Sequence, residues 1–255
     1  MDPTALKITT WNVNGIRARE AQLREWIDRE QPGIVCLQEI KASMDQVPPA
    51  LCAMEGYACY WHGGKGYSGV GLHVRRDLFP APPVFSHPSF DMEHRIVVAE
   101  LPGLTVASVY VPNGGKDYEA KLRFLDALAH YAASFDATGA SLLVCGDLNV
   151  AREDRDIHPK ERKPNQIGAR RDERELFDRL IGAGLVDVGR ALDPENDNLF
   201  TWWAPWRNLR QRNIGWRIDY VLASQALAAR ATASTVAREF GTSDHGPVSV
   251  VFATS

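Results

Sequence analysis

The stretch LLVCGDLNVA, residues 142–151, decides how the fold is interpreted. An apolar run leads to Gly146, and Asp147 and Asn149 follow at a spacing of two residues. Buried strands tend to end in turn residues, and residues i and i+2 of a strand point to the same side. The pattern therefore predicts a core strand whose end presents a carboxylate and a carboxamide to one site.

The composition is that of an ordinary globular enzyme. The chain has 255 residues, of which 45% are hydrophobic and 24% charged, and this balance excludes a disordered protein. The net charge of −3 means that any site for a polyanion must come from a local cluster of Lys and Arg. The four cysteines include no CxxC pair, and two lie in apolar strand-like runs, which favours reduced core residues in a cytosolic protein.

No apolar run approaches the length of a membrane span, and the amino-terminal segment has no long apolar core. We therefore expect a cytoplasmic protein that does not contact a membrane, associated with the nucleoid if the source is bacterial.

Periodicity predicts strands and helices along the whole chain. Besides the LLVCGDLN strand, strands are predicted at 6–13, 33–39, 57–63, 69–76, 95–102, 104–112, 217–223 and 247–252, and helices at 16–29, 117–133 and 171–183. The proline-rich run 80–88 is predicted to be a loop, and no linker divides the chain. The mixture predicts one α/β domain over residues 1–255, in which β-sheets are faced by helices.

Several predicted strands end in the same kinds of polar residue. The motifs are WNVNG with Asn12 and Asn14, LQEIK with Glu39, YVPN with Tyr110 and Asn113, GDLN with Asp147 and Asn149, RIDY with Asp219, and SDHGP with Asp244 and His245. Each motif alone has a structural explanation, because Asn and Asp form turns and a lone histidine is more often structural. Together they favour a hard divalent cation, Mg²⁺ or Mn²⁺, and the absence of clustered His or Cys argues against zinc.

These motifs, with GYSGVGL and NIGWRIDY in the same order, resemble the exonuclease III family of apurinic/apyrimidinic (AP) endonucleases. The resemblance runs from residue 8 to residue 252, whereas phosphatases and sphingomyelinases of the same fold share only the Asn, Glu, GD-N and SDH elements. It implies a DNase I-like, four-layer α/β sandwich in which two β-sheets pack together and are flanked by helices.

The activity implied by the resemblance is divalent-metal-dependent hydrolysis in base excision repair. The phosphodiester 5′ to an abasic site would be cut to leave a 3′-hydroxyl, often with 3′–5′ exonuclease and 3′-phosphodiesterase or phosphatase activity. The implied partner is duplex DNA that contains abasic sites or blocked 3′ ends. We expect Mg²⁺ as cofactor, with Mn²⁺ able to substitute, and a monomeric enzyme.

The resemblance also implies metal ligands. Glu39 is expected to be the primary ligand, and Asn12 and Asp244 are expected to complete or support the metal shell. If a second ion binds, its expected ligands are Asp147, Asn149 and His245. Asn14 stands where some members of the family have a ligating aspartate, so its amide either weakens metal binding or only shapes the turn before Gly15.

Five residues are expected to carry the chemistry. Asp147 matches the residue that orients and deprotonates the attacking water, with Asn149 fixing its geometry. His245 is expected to touch a phosphoryl oxygen while Asp219 holds its imidazole. Tyr110 is expected to hydrogen-bond the phosphate or the leaving oxygen. The sequence leaves open whether Asp147, His245 or Tyr110 is the general base.

Two basic stretches, 158–171 and 206–217, are candidates for DNA contact. The second interleaves arginine with tryptophan, which suits groove insertion and phosphate contact. The resemblance implies an apolar pocket for a flipped abasic sugar made by Trp202, Trp216 and Ile218, whereas Trp203 is expected in the core. The other expected substrate contacts are Asn113, Lys116, Gln166, Trp206 and Asn213.

Two other functions are compatible with parts of this pattern. A phosphatase or a sphingomyelinase-type phosphodiesterase of the same fold would keep Glu39, Asp147, Asn149 and His245 but would not need the 206–217 block. A nucleic-acid-binding module without catalysis would not need an intact acid–base set. The sequence leaves open the balance between endonuclease and exonuclease activity and the number of metal ions.

Overall fold

Two six-stranded sheets form the centre of the computed structural model, which describes residues 5–253. The first sheet has the strand order β11-β12-β1-β2-β4-β3, and the second has the order β5-β6-β7-β8-β10-β9. The strands are β1 (Ala5–Asn12), β2 (Ile34–Gln38), β3 (Tyr57–His62), β4 (Val70–Arg75), β5 (Val84–Ser86), β6 (Ile96–Leu101), β7 (Leu104–Tyr110), β8 (Leu142–Asp147), β9 (Leu185–Asp187), β10 (Asp219–Ser224), β11 (Ala231–Val236) and β12 (Val248–Ala253).

Helices cover the outer faces of these sheets. The α-helices are α1 (Glu20–Glu30), α2 (Pro49–Cys52), α3 (Tyr118–Asp136), α4 (Arg171–Gly182), α5 (Val188–Leu192) and α6 (Gln225–Ala228). Short 3₁₀ turns lie at Ile16–Ala18, Met44–Gln46, Arg76–Leu78, Asp154–Asp156 and Pro159–Glu161. Within residues 5–253, no helix has the length and apolar character needed to cross a bilayer.

The alternation of side chains along β8 explains the layered arrangement. Leu143 and Cys145 belong to the core between the two sheets, whereas Leu142 and Val144 pack with residues of α3 and α4 on the other face. Because both faces of the strand are buried, its sequence is continuously apolar. Helix α1 covers the opposite sheet through Trp26 and neighbouring apolar residues. The predicted four-layer, DNase I-like sandwich is confirmed. The prediction of a single domain over residues 1–255 includes a few terminal residues outside the described range 5–253, and it stays a prediction.

Three strands were missed by the sequence interpretation. The proline-rich segment expected to be a loop contains β5, which pairs with β6 at the sheet edge. Strand β9 is only three residues long, and β11 has the small and polar sequence ATASTV, so neither carries a clear hydrophobic alternation. The helix predicted at 16–29 begins as a 3₁₀ turn, and its α-helical part starts at Glu20.

The topology brings the polar strand ends to one edge of the sandwich. Strands β1 and β2 are parallel, and so are β7 and β8, where Tyr110 and Asp147 are register partners. Strand β10 runs antiparallel to β8 and pairs Asp219 with Asp147. Strand β12 is antiparallel to β1, so the segment before it, with Asp244 and His245, lies at the same edge.

The close approach of β7 to β8 explains the glycine before Asp147. A Cβ atom on Gly146 would lie 1.9 Å from the carbonyl oxygen of Val109, and the residue has a positive φ of 153°. Only glycine fits this position, because any side chain would overlap the neighbouring backbone.

Candidate active site

A cleft of about 400 Å³ opens at the edge where the polar strand ends meet. It is lined by Glu39, Tyr110, Asn113, Gly115, Asp147, Asn149, Ile167, Gly168, Trp202, Trp216, Ile218, Asp244 and His245. The structure therefore brings together most of the residues that the sequence motifs singled out, although they come from distant parts of the chain.

Asp147 is buried and held in a fixed orientation by amide groups. Asn12 Nδ2 donates to its Oδ2 at 2.9 Å, and the backbone N–H of Asn149 donates to its Oδ1 at 2.9 Å. Asn149 adopts a positive φ of 52° and also donates from Nδ2 to the Val111 carbonyl at 2.8 Å. Burial and the nearby Asp219 carboxylate raise the pKa of Asp147 to about 7, although the Asn12 hydrogen bond opposes this rise. The carboxyl group is thus poised to exchange a proton near neutral pH.

His245 lies between two carboxylates. Its Nδ1 is 2.9 Å from Asp219 Oδ2, and its Nε2 is 3.9 Å from Asp147 Oδ2. The Thr201 hydroxyl donates to the same Asp219 oxygen at 2.6 Å. Burial opposes the charged imidazolium, but Asp219 outweighs burial and raises the pKa of His245 to about 10. The ring is therefore a cation that donates a hydrogen bond from Nδ1 to Asp219, while its Nε2 forms a longer ion pair with Asp147.

Glu39 is the partly exposed carboxylate of the cleft. It adopts a positive φ of 50°, a conformation that non-glycine residues rarely keep outside functional sites. The Tyr110 hydroxyl donates to its Oε1 at 2.5 Å, and Lys41 Nζ lies 2.8 Å from its Oε2. Burial opposes ionisation of Glu39, but the bonds from Lys41 and Tyr110 outweigh it and hold its pKa below the usual range. Burial and the Glu39 charge raise the pKa of Tyr110.

The oxygen atoms of Glu39 and Asn14 converge on a single positive charge. Lys41 Nζ, which is 2.8 Å from Glu39 Oε2, also donates to Asn14 Oδ1 at 2.6 Å. The ammonium group therefore stands where two oxygen donors meet, which is the arrangement that a hard divalent cation requires. Lys41 was not anticipated, because a single lysine after a strand carries no distinguishing signal.

Asn12 and Asp244, the other expected metal ligands, lie behind this pair. Asp244 accepts from Asn14 Nδ2 at 2.8 Å and from Trp202 Nε1 at 2.9 Å, and Asn12 Oδ1 accepts from the Asn14 backbone N–H at 3.0 Å. Burial opposes ionisation of Asp244, but the cationic His245 and these hydrogen bonds lower its pKa. Both residues thus brace Asn14 and the residues next to it.

An apolar wall faces the carboxylates across the cleft. The rings of Trp202 and Trp216 are 6.2 Å apart and nearly perpendicular, and Ile218 packs in the same small cluster. Gly168 supports Trp216, since a Cβ atom there would lie 3.0 Å from the indole ring. Trp203 is 1% exposed and belongs to the interior, in line with its expected core position.

The remaining expected substrate contacts occupy different positions. Asn113 lines the cleft, and Gln166 lies next to Ile167 of its wall. Lys116 is exposed and its Nζ lies 5.8 Å from the centre of the Tyr67 ring. Trp206 is 59% exposed and lines a neighbouring cavity of about 470 Å³.

Asn213 does not reach the cleft. Its amide oxygen accepts from Trp203 Nε1 at 3.2 Å, and its amide nitrogen donates to the Asn198 carbonyl at 3.3 Å. It lines a different cavity together with Phe200. The structure therefore assigns its side chain to packing in the 198–213 region, away from the other predicted contacts.

Half of the arginines in the 206–217 block are structural. Arg217 is 4% exposed and binds Asp156 Oδ1 at 2.8 Å and Asp187 Oδ2 at 2.5 Å. Arg210 donates to backbone carbonyls, including that of Phe240 at 2.7 Å. Arg210 and Arg217 are thus occupied by protein partners, which a charge run in the sequence does not reveal, and DNA contact by the other residues of this run stays a prediction. Arg207 and Arg212 are exposed.

A buried ion pair that the sequence interpretation missed ties the cleft loops together. Lys121 and Glu173 form an ion pair, and both side chains are 0% exposed. Lys121 Nζ donates to the carbonyls of Asn149 at 2.7 Å and Asn113 at 3.4 Å, while Glu173 accepts from the Gly168 N–H at 2.8 Å. A signal exists in the sequence: Lys121 lies on the apolar face of α3, where a charge needs a buried partner.

The fold and the site together define a phosphodiester hydrolase, and comparison with known proteins gives the family. Residues 9–245 match the Endonuclease/Exonuclease/phosphatase family, and the chain belongs to it. An exodeoxyribonuclease of Bacillus subtilis is 32% identical over 253 residues, covering 96% of this chain and 99% of that protein. The DNA repair nuclease APEX1 of Danio rerio is 35% identical over 259 residues, covering 97% of this chain and 82% of that protein.

Structural comparison gives the same result. An AP endonuclease from Archaeoglobus fulgidus superposes with a TM-score of 0.87 at 31% identity, covering 97% of this chain and 99% of that one. The chain matches the Recombination repair protein 1 of Drosophila melanogaster at 32% identity but spans only 37% of its length. The predicted resemblance to the exonuclease III family of AP endonucleases is confirmed, and members of this family depend on divalent metal ions.

Proposed function

We propose that the protein is an AP endonuclease of base excision repair that hydrolyses the phosphodiester 5′ to an abasic site in duplex DNA and leaves a 3′-hydroxyl. Further proposed activities are 3′–5′ exonuclease and 3′-repair phosphodiesterase or phosphatase activity, with Mg²⁺ as cofactor and Mn²⁺ able to substitute. Its relatives, an exodeoxyribonuclease and DNA repair nucleases, support this assignment. The monomeric state and the cytoplasmic location stay predictions.

One observation carries the proposal: the reactive carboxylates and an indole-walled pocket share the same cleft of about 400 Å³. An abasic sugar has no base to unstack, so it can be extruded at low cost and can lie against Trp202 and Trp216. A nucleotide that keeps its base must first lose stacking worth a few kcal/mol, and its base then clashes with the two indole rings. A phosphatase for small substrates would have no use for this wall, so the alternative is not favoured.

The residues present fit a divalent cation. Glu39 and Asn14 already direct oxygen atoms at one positive charge, that of Lys41. When bound, a divalent cation neutralises charge on the phosphoryl oxygens and on the departing oxygen. Asn14 contributes a neutral amide in place of a carboxylate, which supports weaker metal affinity than in relatives with aspartate there.

The hydrogen-bond geometry supports Asp147 as the group that deprotonates the attacking water. The His245 imidazolium donates from Nδ1 to Asp219 and has no nitrogen lone pair, and Tyr110 keeps its proton in the hydrogen bond to Glu39, so neither group is in the deprotonated form that a base requires. Asp147 lies in the cleft with its oxygens aligned by Asn12 and Asn149. His245 is then placed to donate a proton or a hydrogen bond to a phosphoryl oxygen.

The test is single-turnover cleavage of matched duplexes with and without one tetrahydrofuran abasic analogue. Trp216→Ala should open the pocket, weaken abasic-site cleavage by on the order of 10-fold or more, and reduce discrimination against intact nucleotides. Trp206→Ala is the matched control, because this exposed indole lies outside the cleft and should change affinity for both duplexes alike. An unchanged cleavage ratio in a folded Trp216→Ala protein would remove the pocket assignment.

A further inference from the structure

A second group of potential ligands lies outside the catalytic cleft, where the edges of the two sheets meet. His62 is the last residue of the edge strand β3, and His87 directly follows the edge strand β5. Asp91 follows in the loop before β6. His62 Nε2 is 2.7 Å from Asp91 Oδ2, and the centres of the two imidazole rings are 3.8 Å apart. Each of the three side chains offers one ligand atom, and these atoms all lie within 4.8 Å of one another.

The carboxylate is oriented by the backbone. Asp91 Oδ1 accepts from the N–H groups of Arg95 at 2.9 Å and Ile96 at 3.1 Å, so its Oδ2 is left to face His62. Fixing one oxygen in this way prepares the other for a ligand, as outer hydrogen bonds do in metal sites. Burial opposes ionisation of Asp91, but the bonds from His62 and from the backbone hold its pKa below the usual range.

The imidazole of His87 lies at the surface beside His62. His87 is exposed, and its ring is oriented by two contacts, since its Nδ1 is 3.3 Å from the Ile96 carbonyl and its Nε2 is 2.9 Å from the Tyr60 hydroxyl. A third imidazole, that of His94, stands edge-on to His62 with ring centres 4.6 Å apart.

We propose that His62, His87 and Asp91 form a second metal site, for a borderline transition-metal ion of the Zn²⁺ class, with His94 or water completing the shell. Two or three imidazoles and one carboxylate suit Zn²⁺, Co²⁺ or Ni²⁺, whereas Mg²⁺ prefers the all-oxygen set of the cleft. The bound ion cross-links β3 of one sheet to the segment after β5 of the other. The sequence-based prediction against zinc concerned the strand-end site, and this second group was not seen there because its members come from distant positions and meet only after folding.

The test measures Zn²⁺ binding to the full chain in excess Mg²⁺, which keeps the oxygen-lined cleft saturated. Equilibrium dialysis should give one tight Zn²⁺ site, and Co²⁺ substitution should give the visible absorption of a low-coordinate nitrogen–oxygen site. At Zn²⁺ about 100-fold above its Kd, the melting temperature should rise by roughly 5–10 °C.

Three variants make the assignment specific. His87→Ala and Asp91→Asn should each weaken Zn²⁺ binding by on the order of 10²-fold and abolish the thermal shift, while cleavage in Mg²⁺ stays unchanged. His130→Ala is the matched control, since this histidine is exposed on α3 and should leave binding intact. Equal Zn²⁺ affinity in wild type, His87→Ala and Asp91→Asn, or binding lost only on Glu39→Gln, would overturn the proposal.

Discussion

Replacing Asp219 by Asn should lower the pKa of His245 so far that its imidazole ring loses its positive charge near neutral pH. The two side chains are 2.9 Å apart and both are buried. At an effective dielectric constant of about 20, their attraction amounts to about 6 kcal/mol, which corresponds to roughly four decades in proton affinity. Removing it should lower the pKa of His245 from about 10 to about 6–7, with Asp147 at 3.9 Å supplying part of the remaining attraction. Asn keeps the shape and the hydrogen-bond acceptor, so the change isolates the charge.

The assay is a pH titration of the histidine ring resonances by NMR in the metal-free protein, combined with single-turnover cleavage in Mg²⁺. In the wild type, the His245 resonance should stay that of an imidazolium up to about pH 9, whereas in Asp219→Asn it should titrate near neutrality. Cleavage at about pH 8 should fall by on the order of 10²-fold, because the proton that stabilises the phosphoryl charge is lost.

A matched control comes from the surface of α3. Asp126 and His130 form an exposed pair at 3.5 Å, and Asp126→Asn should leave the His245 titration and the cleavage rate unchanged. If Asp219→Asn leaves the titration of His245 as it is in the wild type, the carboxylate does not hold the charge of this ring and the reasoning fails.

Three further predictions use other parts of the site. Glu39→Gln should lower kcat by on the order of 10²-fold with partial recovery at high Mg²⁺, because the amide keeps the shape but loses the charge; metal-independent cleavage by the wild type would contradict this. Lys121→Met should lower the free energy of unfolding in urea by about 3–5 kcal/mol, because the Glu173 carboxylate is left buried without its cation. Adding Glu173→Gln should recover much of that loss, and simply additive losses would exclude the coupling. Because the folded pKa of His245 is about 10 and its unfolded value about 6.5, its contribution to stability is complete below about pH 6.5 and is lost as the pH rises through 10. Urea unfolding should therefore show a decline from about pH 6.5 to 9.5 that is smaller in Asp219→Asn, and an equal decline in both proteins would refute the assignment.

Much of the candidate site could be predicted because its residues directly follow apolar strands in the sequence. Asp147 and Asn149 are two residues apart after an apolar strand, and Glu39 follows another such strand. Parallel neighbouring strands place such residues at one edge, and the pairing of β7 with β8 does this here. The roles of the individual residues came from the resemblance to a family, and the assays proposed for Glu39, Asp219 and Trp216 test them.

The structure gives other partners to some predicted DNA-contacting side chains, and these partners are distant in sequence. Arg217 looked like part of a DNA-binding run, yet it is buried between Asp156 and Asp187. Asn213 lies within the same basic run, but its amide is used by Trp203 and by the Asn198 carbonyl. The type of residue does not reveal whether a polar group will meet water or a buried partner.

The sequence by itself determined the layers of the sandwich, the strand-end positions of the reactive groups and the family. These properties depend on hydrophobic periodicity and on motifs within a few residues, and both are local. Only the tertiary structure decided that Lys41 lies between Glu39 and Asn14, that Lys121 and Glu173 are buried together, and that His62, His87 and Asp91 meet at the sheet edges. The physical reason is that desolvation and proximity set the charge and the function of these groups, and both depend on residues brought together by folding rather than by the order of the chain.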